Sequence, residues 1–404
     1  MGKRPLKSLC VLTFSLWVMS FARGGLAIAA PVDASQASEA YHYRQPPTLA
    51  DMWVTGTLDD VGLDQLRIEQ MTDAIRRHPY WSIHAVLIER EGRLVYEEYF
   101  AGPDQRWGTP LGRVVFNRET KHDLRSVTKS VVSALLGIAL HSGAIRSLDS
   151  PIVEYFPEYK EFQTPERVAI TIRHALSMTG GLEWNEDLPY TDPRNTEIVM
   201  TRSEDPIRYV LSQRIVAKPG VAWQYNGGFT QLLAAVIQRA TGTSLKAYAK
   251  KMLFDPLGIT DVEWVGDLAG LPAAASGLRL RPRDLAKFGS LYLHQGRWSN
   301  RQVLPEEWVK ESTRRHVTFP NQPSRGYAYH WWHTCYATPS GLVESKTAVG
   351  NGGQRLFVLP GLKSVVTVLA GRYNDFSIAP WEQILTVYII PSFHAQPTAG
   401  CPPE

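Results

Sequence analysis

Arg125-Ser126-Val127-Thr128-Lys129-Ser130-Val131-Val132-Ser133-Ala134-Leu135-Leu136-Gly137-Ile138-Ala139-Leu140 is the stretch from which the rest of the chain is read. Val132, Leu135, Leu136 and Ala139 recur at spacings of three and four, which predicts a helix with one buried stripe. Ser126 stands where the pattern begins, at the position a helix N-terminus favours, and Lys129 follows three residues on. An i, i+3 spacing puts both side chains on one face in adjacent turns, within reach of each other. A serine hydroxyl is a weak nucleophile until a neighbour takes its proton, and a lysine can do so when burial lowers its pKa. The free N–H groups and dipole at the helix start favour the negative charge that grows during attack. The plain alternative is an N-cap serine beside a surface lysine, since S-x-x-K is a short pattern.

Working outward, the bulk of the chain supports a large core. Its 404 residues are 44% apolar, which excludes disordered and fibrous classes. Lys3, Arg4 and Lys7 precede an apolar run from Ser8 to Ala22, and Ala27-Ile28-Ala29 is a small-x-small signal. This predicts a secretory signal peptide over residues 1–30, cleaved near Ala29 or Ala30, with a run too short for a comfortable membrane span. The expected location is periplasmic or secreted, with no stable membrane anchor after cleavage. The leader's Lys3, Arg4, Lys7 and Arg23 account for the whole formal charge of +4. The remaining chain is neutral and carries no basic stripe, so nucleic acid is not an expected partner. Past the leader the cysteines are Cys335 and Cys401; an oxidising compartment would let them pair, and two separate thiols are an equal alternative. No cysteine or histidine spacing points to a metal.

Residues 31–62 read as a loose N-terminal arm and 63–396 as one domain. A helix is predicted over 64–77, with Leu66, Ile68, Met71 and Ile75 on its apolar side. A hairpin follows, 83–90 and 93–100 around Glu91-Gly92. Residues 102–122 read as loop. From 126 to about 325 the pattern is a helical subdomain, with helices near 205–213, 228–241, 244–253, 282–296 and 305–313. His174 reads as a structural residue of a short helix. Strand periodicity returns over 327–333, 342–349, 354–359 and 363–370, and a closing helix covers 380–390. Strands at both ends of a helical middle predict an α/β chain of the α+β kind: an antiparallel β-sheet flanked by helices, with an inserted all-α subdomain. The first and last helices would pack on one face and the helical region on the other.

Two further stretches carry chemistry. In Pro219-Gly220-Val221-Ala222-Trp223-Gln224-Tyr225-Asn226-Gly227-Gly228, Tyr225 lies in a turn just before a helix. A phenol whose pKa a nearby lysine lowers can act as general base and then return the proton to a leaving group; the alternative is a half-buried packing tyrosine. In Ala348-Val349-Gly350-Asn351-Gly352-Gly353-Gln354, glycines would let a substrate lie along the strand edge. A backbone N–H there would complete an oxyanion hole with that of Ser126; the alternative is a glycine-rich turn. Trp184, Trp223, Trp331 and Trp332 are candidate walls of an acyl pocket or, equally, core residues. Glu183 and Asp187 face either the cleft or solvent.

The order of these three blocks resembles the serine β-lactamase-like superfamily of class C β-lactamases, DD-peptidases, family VIII esterases and 6-aminohexanoate-oligomer hydrolases. The resemblance runs from about Ile83 to Ile390 and takes in Ile170–Leu182, Asp255-Pro256-Leu257-Gly258 and Arg283–Gly289. It implies Ser126 as nucleophile, Lys129 as its activator, Tyr225 as proton shuttle, and an acyl-enzyme hydrolysed by water without metal or cofactor. Asn226, Gly350, Asn351, Gly352, Gly353, Trp184 and Trp332 would contact substrate. Two departures bear on substrate: Gly227 stands where the family often has the asparagine of Tyr-x-Asn, and Ala348 where it has lysine or histidine. Lys346-Thr347-Ala348 fits the third motif only with a two-residue slip. Losing both side chains removes hydrogen bonds to a β-lactam's amide and carboxylate, about 1.5–3 kcal/mol for the charged one. The expected function is therefore hydrolysis of a small ester, amide or peptide-like substrate, closest to the esterase and 6-aminohexanoate branches. The alternatives are a β-lactamase or DD-peptidase, or a non-catalytic penicillin-binding sensor that keeps the fold.

Overall fold

A computed structural model of the chain describes residues 39–339, 341–394 and 401. The expected signal peptide lies outside the described residues. Tyr41–Glu404 forms one compact unit. Its centre is a nine-stranded sheet. In spatial order the strands are Val54–Thr55, Arg93–Tyr99, Ile83–Arg90, Ser364–Ala370, Gln354–Leu359, Gly341–Gly350, Trp332–Thr338, Gln322–Tyr327 and Val317–Phe319. Every pairing is antiparallel except the two-residue edge strand Val54–Thr55, which runs parallel to Arg93–Leu94.

Both faces of the sheet are covered, so its central strands are apolar on both sides. Val86, Ile88, Val366 and Val368 face a core shared with the first helix, Gln65–Arg77, and with Trp381, Ile384 and Leu385 of the closing helix. Ala85, Leu87, Val365 and Leu369 face the opposite core, built with the helical region. The alternation follows the strand's two-residue period. The expected arrangement of helices on the two faces is what the structure has.

The helix Val127–His141 lies within the second core and is buried all round from Val127 to Ala139, not along one stripe. Such a helix has no solvent face to keep polar. Gly137 in its middle gives the Trp308 indole room, since a Cβ there would overlap the ring.

Five expectations are corrected. The stretch read as an all-α subdomain to about 325 also holds strands: Glu263–Trp264 and Leu278–Leu280 in a small sheet with His122–Asp123, and Val317–Phe319 and Gln322–Tyr327 at the edge of the large one, all too short or too exposed to show a strand period. Residues 41–62 are built into the domain: Tyr41, Trp53, Leu58 and Val61 are buried, and the Tyr41 phenol donates to Glu98 at 2.7 Å. Residues 102–122 contain a hairpin, Ala101–Arg106 and Thr109–Val115, turning through Trp107 and Gly108 at positive φ. Its outer strand is almost wholly exposed, so no burial alternation marked it. Leu66 is 61% exposed, because the buried side of its helix runs through Ile68, Met71 and Ile75. Residues 328–331 are a turn, not strand; the turn dips inward and buries Ala328, Tyr329 and Trp331, whose apolar run mimicked a strand.

Cys335 and Cys401 form a disulfide with Cα atoms 6.0 Å apart. Among the described residues no helix is long and apolar enough to cross a membrane.

Candidate active site

Ser126 begins the buried helix, and the residue before it is forced into an uncommon conformation. Arg125 has φ +51°, a left-handed value that a non-glycine residue adopts only when its surroundings hold it. Its guanidinium is held 3.1 Å from Asp123 and over the Tyr373 ring at 5.0 Å. Asp123 in turn bonds Arg279 and the Trp107 N–H, which anchors the turn of the Ala101–Val115 hairpin beside the serine. On the other side, Gly350 ends its strand against the Leu124 carbonyl, where any Cβ would overlap the oxygen. Glycine is what allows the strand to approach this closely.

Two cavities of about 540 and 640 Å³ meet at Ser126. Both reach Tyr190, Asn351 and Asn374. The larger is walled by Trp223, Tyr225, Trp332 and Phe376; the smaller by Trp107, Ile198, Leu268 and Glu197. The aromatic wall is cohesive: Tyr225 stacks on Trp332 at 6.0 Å, and Trp223 meets Trp332 edge-on at 5.7 Å.

Lys129 is 1% exposed and donates to Ser126 Oγ at 3.0 Å and to the Ala275 carbonyl at 3.1 Å. Its ammonium lies 4.7 Å from the centre of the Tyr225 ring and 3.7 Å from Glu197 Oε2. Here the expected pKa logic reverses. Burial pulls the ammonium down, but Tyr225, Glu197 and Glu186 outweigh it and hold Lys129 above its ordinary value. Tyr225 is corrected likewise: burial raises its phenol, Lys129 pulls it back, Glu186 raises it further, and the net shift is upward. At rest the site therefore holds an ammonium and a neutral phenol.

The carboxylates responsible were not among the residues singled out from sequence. Glu186 accepts from the Trp184 indole at 2.6 Å, from Tyr190 at 2.9 Å, and from the Gly227 N–H. Glu197 is 2% exposed; its Oε1 accepts from Ser276 at 2.7 Å. Burial and the neighbouring Glu197 charge hold the Glu186 carboxyl above the ordinary range, with Lys129 opposing.

Several expected substrate contacts have other work. Asn226 is fully buried and caps the helix Gly227–Thr241 by accepting from the Phe229 N–H at 3.2 Å. Trp184 is a core residue that holds Glu186, and Trp331 is wholly buried. Gly352 and Gly353 have positive φ and pack against Tyr373 and Trp381, behind the cavity wall. Gly350, Asn351 and Trp332 do line the larger cavity, and Asn351 is fixed by a reciprocal pair of bonds with Asn374 at 2.7 and 2.8 Å. Ala348 is core and Lys346 borders a separate small cavity, so neither offers a third-motif cation. The cation beside Gly350 is Arg355, donating to its carbonyl at 3.2 Å and held down to about 10 by burial. Glu183 pairs with Arg214 in solvent, Asp187 lines the larger cavity, and His174 closes a capping box with Thr171.

A second buried polar group lies just before Ser126 in the chain. His84 Nδ1 is 2.8 Å from His122 Nε2, His122 Nδ1 is 3.0 Å from the Asp123 carbonyl, and Asp104 accepts from Tyr373 at 2.9 Å. Their ligand-type atoms lie within 4.8 Å of one another. Sequence spacing could not show this group, because its members come from three separate strands.

The family model for Beta-lactamase matches residues 84–385. A 6-aminohexanoate-dimer hydrolase of Paenarthrobacter ureafaciens is 26% identical over 308 residues, covering 71% of this chain and 72% of that protein. Esterase EstB of Burkholderia gladioli is 27% identical over 187 residues, covering 44% of this chain and 46% of its own length. The solved structure of EstCE1, a hydrolase with promiscuous acyltransferase activity, superposes with a TM-score of 0.64 at 18% identity, covering 80% of this chain and 98% of that one. At that identity the likeness speaks for the fold. The family match spans the sheet, the buried helix and the cleft between them, and the chain belongs to the Beta-lactamase family.

Proposed function

We propose that the protein is a serine hydrolase that cleaves an ester or amide bond through an acyl-enzyme on Ser126. One observation carries the reading: a fully buried lysine donates to the serine hydroxyl at 3.0 Å, at the point where two cavities meet. Ser126 Oγ attacks the substrate carbonyl, Lys129 manages the proton, and the Tyr225 phenol protonates the leaving group. Water then hydrolyses the acyl-enzyme. Negative charge on the carbonyl oxygen forms at the start of the Val127–His141 helix, where the dipole favours it.

The aromatic wall of Trp223, Tyr225 and Trp332 suits an apolar acyl or alcohol group. Asn226 faces its own helix and Ala348 the core, so both usual handles for a β-lactam are missing. This favours esters and linear amides over β-lactams. The relatives include a 6-aminohexanoate-dimer hydrolase and an esterase, which supports this preference. A periplasmic or secreted location is part of this proposal; it draws on the leader of the sequence and on the Cys335–Cys401 disulfide, which needs an oxidising compartment.

Intact-mass spectrometry after fluorophosphonate treatment tests the reading, with p-nitrophenyl ester and nitrocefin assays on the same protein. One adduct that disappears in Ser126→Ala, with ester turnover well above nitrocefin turnover, is the expected result. Rapid nitrocefin hydrolysis would reverse the substrate preference. Absence of both adduct and turnover would leave a non-catalytic binding module.

A further inference from the structure

The departure at Gly227 has a physical cause in the structure. A Cβ on Gly227 would stand 2.7 Å from Glu186 Oε1, 2.7 Å from Glu197 Oε2 and 3.1 Å from the Ala275 Cβ. A side chain at 227 would thus occupy the space that two carboxylates fill. Glu186 is fully engaged there, with the Trp184 indole, the Tyr190 phenol and the Gly227 N–H all donating to it. Glu197 is not. Its Oε2 is buried, takes no hydrogen bond from an amide, amine or hydroxyl of the described residues, and faces Lys129 Nζ at 3.7 Å. The Glu186 carboxyl, held above the ordinary range, bonds Glu197 and leaves it as the acceptor that looks toward the lysine.

We propose that Glu197 is the resting place of the Ser126 proton, reached through Lys129, and that Gly227 is glycine to make room for it. The proposal rests on the reading of Ser126 as nucleophile. An ammonium has no lone pair and cannot accept a proton until it has given one away. Lys129 Nζ passes a proton to Glu197 Oε2, and the resulting amine takes the proton of Ser126 as the Oγ–carbon bond forms. On collapse the bond to the leaving group breaks and Tyr225 protonates that group. Lys129 then restores the phenol and recovers its own proton from Glu197, so no net proton is gained or lost. The groups facing Glu197 are Lys129 from the buried helix, Glu186 and Tyr190 from the loop that precedes Glu197, and Ser276. Asp267 and Arg202 share its cavity. The working state is the one in which the Glu186–Glu197 pair carries a single negative charge, and activity falls as acid neutralises it.

The experiment measures kcat and KM for a p-nitrophenyl ester from pH 4 to 9 in wild type, Glu197→Gln, Glu197→Asp and Gly227→Ala. Rates are normalised to the fraction labelled by fluorophosphonate, which removes misfolded protein from the comparison. For Glu197→Gln a fall in kcat of about 100-fold is expected, with KM within about twofold and the acid limb of the profile gone. Glu197→Asp should recover part of kcat together with the acid limb. Gly227→Ala should lower kcat and displace the limb, and it carries the test if Glu197→Gln does not fold. A Glu197→Gln enzyme with near wild-type kcat per labelled site, or with an unchanged acid limb, overturns the relay and leaves Ser126 as nucleophile. Wild-type protein that neither labels nor turns over overturns both.

Discussion

Two buried polar clusters flank Ser126 in the chain, and they handle protons in opposite ways. Four residues before the serine, His122 joins His84 and Asp104 in a set whose rings are kept neutral: burial and the neighbouring His122 push His84 down to about 2, and burial lowers His122 as well. Phe116 stacks on His84 at 4.1 Å, and the outer nitrogen of His122 is tied to a backbone carbonyl. Three residues after the serine, Lys129 joins Glu186 and Glu197 in a set that keeps its ammonium, and the two carboxyl groups line cavities. The difference lies in counter-charge. The histidines have Asp104, 3.7 Å from His122 Nε2, and Asp123 nearby, but the Arg279 guanidinium opposes them and desolvation wins; Lys129 has two carboxyl groups and a phenol, and attraction wins. The first cluster rests with neutral rings, the second with an ammonium.

Removing Lys129 should break this contrast most severely. In Lys129→Met the serine loses its proton partner and two carboxylates lose their cation. We expect fluorophosphonate labelling to slow by about 1,000-fold or more, and denaturant unfolding to show a loss of about 3–5 kcal/mol, as when one partner of a buried ion pair is deleted. Retention of wild-type labelling would show that the lysine is only a packing group.

The histidine side is tested by stability against pH. A base whose folded pKa is depressed favours the unfolded state as pH falls, because only the unfolded chain takes up the proton. The contribution of His84 is complete above its unfolded value of 6.5 and is lost progressively down to about 2. The loss amounts to about 1.4 kcal/mol per pH unit. His84→Leu should therefore be less stable than wild type at pH 7 by about 1–3 kcal/mol, since His122 loses its partner. Its stability should also fall less steeply between pH 6 and 4. Urea midpoints at three pH values measure both effects, and a parallel decline in the two proteins would refute the neutral-cluster account. Labelling of Ser126 at pH 7 should change little.

Asn226→Ala is expected to give the smallest effect. As a helix cap, the residue should cost about 1 kcal/mol in stability when truncated, with the ester KM unchanged. A large rise in KM with stability intact would return Asn226 to the substrate-binding role that its place in the motif first suggested.

Motif order and period-two alternation made the outline of the molecule legible. The hairpin at 83–99, the strands at 342–349, 354–359 and 363–370 and the buried helix all follow from apolar spacing, which reports burial directly. Two elements were misread for opposite reasons: the exposed hairpin at 101–115 offers no hydrophobic signature, and the buried turn at 328–331 imitates a strand because it is apolar. Ser126, Lys129 and Tyr225 could be named because they sit in short motifs with fixed spacing. Glu186 and Glu197 could not. They lie 60 and 71 positions beyond Ser126, and each resembles the surface glutamates around it until the fold surrounds it.

What the sequence by itself determined is the order of the elements, the central helix and the placing of Ser126 and Lys129 one helical turn apart, because each depends on neighbours within a few residues. What only the tertiary structure decided is the upward shift of Lys129 and Tyr225 and the pair of carboxyl groups packed against Gly227. Both arise because long-range packing carries the carboxyl groups into a buried space, and electrostatic shifts are set by distance and desolvation in three dimensions rather than by spacing along the chain.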